Sequence, residues 1–164
     1  WPYYEKVLKS RPVVNARDDA LLVKNIWKYS IAERRCVAAA DGFCEWTGPD
    51  GAKWEVLFTL PDQRPFFFGG IWSKDPVGED RGFAIVTTKP NPTVAEIGHD
   101  RTPLILDAEG AKRWIGSDPI PNDELTALCQ PFAGQFMRRD ITPPAKKKKV
   151  TKTDLKQSEG ELSF

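Results

Sequence analysis

One histidine, one methionine and three cysteines are all that 164 residues contain of these types, and no apolar run approaches the roughly 20 residues a membrane helix needs. Each scarcity excludes something. Cys36, Cys44 and Cys129 are odd in number, far apart and without a CxxC pair, which argues against a disulfide framework or a zinc site and for a reducing cytosol. A single His is a poor ligand set, so neither a metal nor a cofactor is expected. Nothing at the start reads as a signal peptide, and no membrane partner is expected. The net charge is only +1, so a nucleic-acid partner must be met by a local patch. Six Lys against three acids follow Pro143, which leaves 18 basic and 20 acidic groups before it. Basic residues are dense early, at Arg11, Arg17, Lys24, Lys28, Arg34 and Arg35.

What is present is a core. Hydrophobic content of 40%, with six Trp and nine Phe, indicates one packed domain over residues 1–142. The Pro-, Lys- and Ser-rich residues 143–164 read as a disordered tail. Arg11 to Asn15 reads as a short strand, and Asp18 or Asp19 as the cap of a helix carrying Leu21, Leu22, Ile26 and Trp27. Cys36 to Ala40 is a small apolar strand. Phe43 to Trp46 and Lys53 to Leu60 flank Gly48-Pro49-Asp50-Gly51, a hairpin signal. Phe66 to Trp72 and Phe83 to Thr88 follow as strands, the second central. Thr93 to Ile97 fits a helical turn, Leu104 to Leu106 a short extended segment, and Gln135 to Ile141 a last strand. Asp107 caps a helix to Ile115, and Asn122 or Asp123 caps another to Cys129. The fold class is α+β: a folded-over antiparallel sheet or barrel-like core with a few short helices.

Three polar clusters interrupt this pattern: Asn15-Ala16-Arg17, Asp41 to Trp46, and His99 to Pro103. Alternation puts Phe43 and Glu45 on one strand face, Cys44 and Trp46 on the other. Glu45 is then either at the edge of the core, where burial raises its pKa for acid/base work, or a solvent-facing Glu at a hairpin base. His99 follows a central strand in a loop, where it is either a proton-transfer group or merely exposed. Asn15 and Arg17 share a face; Arg17 offers a fork to phosphate or pairs with Asp18 or Asp19. Most Trp residues belong to the core, and one or two at a groove would provide stacking platforms for unpaired bases.

The wording and order of these clusters resemble the SRAP (SOS response-associated peptidase) family. The resemblance rests on Asn15-Ala16-Arg17, on Arg34-Arg35-Cys36-Val37 running into Ala40 to Trp46, and on Gly69-Gly70-Ile71-Trp72, Ile85 to Thr88 and Gly98 to Leu106. It implies binding of single-stranded DNA and covalent reaction with abasic sites, through an N-terminal cysteine whose amine and thiol close a thiazolidine ring and which also clips its own leader. By motif, Asn15 would hold the sugar or the thiazolidine ring, Glu45 would shuttle protons and His99 would protonate the opened sugar. Arg17, Arg101, Trp46 and Thr87 would contact DNA. The sequence begins at Trp1 and departs from the family in lacking that leading Cys, in carrying Cys44 where an aromatic is usual, and in Gly98 before the His. The expectation is the family scaffold without its nucleophile, acting as a monomer on single-stranded DNA with an abasic site. It is placed in the cytoplasm with the nucleoid, or in a nucleus given the Lys146–Lys149 run. Two readings from other classes remain beside it: a non-covalent single-strand-binding module, and a thiol hydrolase using Cys44 with His99.

Overall fold

Alternation along the strands sorts their side chains into two cores, and the candidate site lies where those cores meet. The protein, as a computed structural model, is described over residues 13–74 and 81–141. Trp1, Arg11, Pro12 and the Lys-rich segment lie outside the described residues. The strands are β1 (Asn15–Arg17), β2 (Arg35–Ala40), β3 (Phe43–Thr47), β4 (Trp54–Thr59), β5 (Phe66–Lys74), β6 (Arg81–Thr88), β7 (Thr102–Pro103), β8 (Ile105–Leu106) and β9 (Met137–Ile141). The helices are α1 (Asn25–Glu33), α2 (Pro92–Ala95), α3 (Ala108–Ile115) and α4 (Asn122–Leu128). The large sheet runs β1-β6-β5-β2, with β7 on β6 and β8 on β5; the small sheet runs β3-β4-β9. The α+β half-barrel is as the sequence predicts, and its sheet is mixed because β1 joins β6 in parallel.

One face of the large sheet buries Ala16, Ile71, Ala84 and Val86, covered by Trp27 and Ile31 of α1, Ala111 and Trp114 of α3, and Leu125 of α4. Burying such side chains is the main favourable term of folding. The other face meets the small sheet over an aromatic core: Phe43 stacks on Phe58 at 5.2 Å and meets Phe68 and Phe136 edge-on at 6.2 and 5.4 Å. Such geometries suit the ring quadrupoles.

Several boundaries differ from the sequence reading. The first strand is Asn15–Arg17, because its ladder partner spans Ile85 to Thr87. Asp18 and Asp19 do not cap a helix. They open a 3-10 turn, their carboxylates bind arginines instead, and α1 begins after Lys24 with no side-chain cap. Asp107 caps α3 as expected, accepting from the Gly110 N–H. The residue at the start of α4 is Pro121, so Asn122 and Asp123 are already helical. The hairpin pairs Thr47 with Trp54, and its turn uses Gly48 and Gly51 at φ +101° and +82°, where an L side chain is strained.

Candidate functional site

β3 is clamped to the loop that follows α2. Thr47 Oγ1 donates to the Ile97 carbonyl at 3.0 Å, His99 Nε2 lies 2.6 Å from the Trp46 carbonyl, and His99 Nδ1 lies 3.4 Å from Glu45 Oε2. Three consecutive strand residues thus hold two loop residues. Gly98 makes the turn between them at φ +84°, in the left-handed region open to glycine. That conformation is the physical reason for a glycine before this histidine. Behind the loop, Asn91 is fully buried and caps α2. Its Nδ2 donates to the Phe132 and Gly134 carbonyls, its Oδ1 accepts from the Thr93 N–H, and its own N–H donates to Thr102 Oγ1.

The electrostatics follow from these contacts. A carbonyl only accepts, so Nε2 is the donor to Trp46, and Nδ1 is the ring nitrogen that faces Glu45. Glu45 is half-buried, and loss of solvent pushes its pKa up while the nearby imidazole pulls it back down. Of the two readings of Glu45, the half-buried one is observed.

Two residues beyond His99, the same loop reaches the arginine cluster. Arg101 donates to Asp18 Oδ1, to the Thr87 carbonyl and to Thr87 Oγ1. Arg17, exposed, forms a fork on Asp19 at 2.7 and 3.1 Å, which raises its pKa and lowers that of the aspartate. Arg17 pairs with Thr87 in the ladder, and Asn15 with Ile85, so the three predicted residues share one face. The row continues through Gly70 and Cys36, and two residues along the same face lies Phe68, which packs on Phe43. Glu45 stands two residues from Phe43 on the face of the small sheet that carries Phe58 and Val56. Asn15 and Glu45 thus project from facing sheets, although among the described residues no hydrogen bond joins Asn15 to Glu45 or His99.

Other candidates are placed differently. Trp46 enters the site through its carbonyl, while its indole is exposed on the opposite strand face with Cys44. Cys44 cannot act with His99 across the strand, and burial together with Glu55 and Glu45 pushes its thiol pKa up. Burial also raises Cys36, and pushes Cys129 up to about 12. The thiolate is the reactive form, so the thiol-hydrolase reading fails on geometry and on charge. Arg35 is not a free cation for phosphate: its five N–H groups donate to the carbonyls of Trp114, Ile31, Ala32, Gly116 and Asp118. Asp18, Thr47 and Asn91 were missed as site-building residues. Only Asn91 carried a signal, an Asn before Pro-Thr at a helix start.

In this curled α+β half-barrel one loop carries both the carboxylate–imidazole contact and the Arg101 cluster, groups whose chemistry suits proton transfer and anions. The chain belongs to the SOS response associated peptidase (SRAP) family, whose sequence pattern it matches over residues 1–146. It is 32% identical over 141 residues to the abasic site processing protein YoqW of Bacillus subtilis (strain 168), covering 84% of this chain and 62% of that protein. It is 30% identical over 142 residues to the abasic site processing protein YedK of Escherichia coli (strain K12), covering 83% and 63%. A crystal structure of a protein from Bacteroides thetaiotaomicron superposes with a TM-score of 0.70 at 25% identity, covering 79% of this chain and 58% of that one. The chain thus spans under two thirds of the length of these relatives.

Proposed function

We propose that this chain binds single-stranded DNA and recognises an abasic site at the Glu45–His99 pair. The observation that carries this reading is the imidazole fixed by the Trp46 carbonyl, with its second ring nitrogen turned to a half-buried carboxylate. An abasic sugar interconverts between a closed hemiacetal and an open aldehyde. Opening takes the proton from the C1′ hydroxyl, breaks the bond from C1′ to the ring oxygen, and returns a proton to that oxygen. Glu45 makes both transfers, with His99 as the reservoir behind it, because both ring nitrogens of His99 are engaged. His99 therefore reaches the sugar through Glu45 and not directly. Asn15, on the facing sheet, offers a donor and an acceptor to the sugar. Arg17, exposed in its fork on Asp19, would exchange that carboxylate for a flanking phosphate, with Arg101 and Thr87 beside it. The Trp46 indole, on the outer face of the strand, offers a stacking surface to a base outside the Glu45 face.

The family's covalent step needs an amine and a thiol on one residue. Cys36, Cys44 and Cys129 carry amide nitrogens within the chain, so none of them closes that ring. Fluorescence anisotropy tests the proposal with an abasic single strand, an intact single strand and an intact duplex, across a salt series. Both single strands should bind more tightly than the duplex, the abasic strand most tightly, with affinity falling as salt rises. Equal affinity for all three, or no salt dependence, would overturn it.

A further inference from the structure

At the far end of β6 from Thr87, arginines and aromatic rings alternate on the surface. The Arg34 guanidinium lies 4.5 Å from the Tyr29 ring centroid and 5.1 Å from that of Trp72, and Arg81 lies 5.9 Å from the Trp72 ring. Phe83 pairs with Trp72 across the ladder, and Tyr29 and Phe83 stand 59% and 57% exposed. Contiguous exposed apolar and aromatic patches mark interaction sites, whereas single exposed side chains do not. The arginines here differ from the others described. Arg35, Arg17 and Arg101 give their N–H groups to carbonyls or carboxylates. Among the described residues Arg34 and Arg81 give theirs to nothing and lie over aromatic rings. A guanidinium held by a ring spends no N–H donor on that contact and can offer its donors to an anion.

Register ties the patch to the site. Arg17 with Thr87, Asn15 with Ile85, and Phe83 with Trp72 occupy successive rows on one face of the large sheet. Thr87 lies four residue steps along the strand from Phe83, on the order of 13 Å. We propose that Tyr29, Arg34, Trp72, Arg81 and Phe83 form a second binding segment for unpaired nucleotides, which receives the strand flanking the lesion and extends the contact beyond Arg17. Rings for bases and guanidiniums without a carboxylate partner among the described residues are the complement of single-stranded nucleic acid, and continuity with the Arg17–Thr87 row gives its direction. The inference rests on the single-strand reading above.

The test uses the whole chain and two abasic single strands, one of about 4 nucleotides and one of about 16, which bracket common single-strand site sizes. The unsubstituted chain should bind the longer strand more tightly. Phe83→Ala and Tyr29→Ala, both at exposed side chains, should each weaken the longer strand roughly tenfold and leave the shorter one unchanged. Arg81→Gln should do the same and flatten the salt dependence, whereas Arg17→Ala should weaken both lengths. Folding of each variant is checked by its melting curve. Binding of both strands with no effect of the patch variants would overturn the second segment, as it would if the surface served a protein partner. Failure of the unsubstituted chain to bind either strand would overturn the single-strand reading itself.

Discussion

Glu45 occupies a position where its charge is costly. Loss of solvent makes the folded state hold that proton more tightly than the unfolded chain does, so its pKa is raised. Stability then falls as pH rises from the ordinary Glu value of about 4.3 through the raised native one. Glu45→Gln removes that cost, and the melting temperature at neutral pH should rise by roughly 2–4 °C per kcal/mol relieved, while discrimination of the abasic strand is lost. His99→Ala removes the cation that pulls the Glu45 pKa down. The carboxyl should then titrate at higher pH than in the unsubstituted protein, as followed by the Glu45 carboxyl resonance in NMR. At this scale the sequence told much. Alternation alone put Glu45 beside Phe43 and Cys44 on the far face. What it could not tell was the tautomer of His99, since that depends on the carbonyl of Trp46, a residue 53 positions away.

The loop from Asn91 to Arg101 is the element that makes a site from separate strands. Its start is fixed by the buried Asn91 cap, its middle by Ile97 in the aromatic core, and its end by Arg101 on Asp18 and Thr87. Gly98 is the point where a side chain is not tolerated for backbone reasons alone, since nothing lies within 4 Å of where its Cβ would be. Gly98→Ala should cost about 1–2 kcal/mol. It should also loosen the His99–Trp46 contact, seen as faster exchange of the His99 Nε2 proton. Melting and exchange both unchanged would show that the left-handed turn does not hold the histidine. The strands and this helical turn were legible from β-branched runs and from Pro90 and Pro92. The role of Asp18 was not. Local rules read Asp18-Asp19 as a helix cap, and the tertiary partner Arg101, 83 residues away, overrode them.

For the whole molecule, the arginines divide into those that build and those that face outward. Arg35 ties β2 to α1 and α3 and to the turn after α3 through five carbonyls, a duty no other side chain can perform. Arg35→Lys offers three donors where five are used and should cost roughly 2–4 kcal/mol in chemical denaturation, with DNA affinity of the still-folded protein unchanged. An early cluster of basic residues therefore cannot be counted as a binding patch from sequence, because the count ignores which cations are consumed by the fold. The α+β class was legible from short strands and frequent turns. The parallel docking of β1, which brings Asn15 and Arg17 to Thr87, was not, because pairing over some 70 residues leaves no local trace.

The central claim is that Asn15 from one sheet and Glu45 from the other act on the same abasic sugar. A double-mutant cycle on the ratio of abasic to intact single-strand affinity tests it most directly, with Asn15→Ala, Glu45→Gln and the pair together. Each single change should reduce the ratio strongly, and the double change should reduce it little further, because both groups serve one ligand. Fully additive losses, or a ratio that neither change alters, would contradict a shared site between the two sheets.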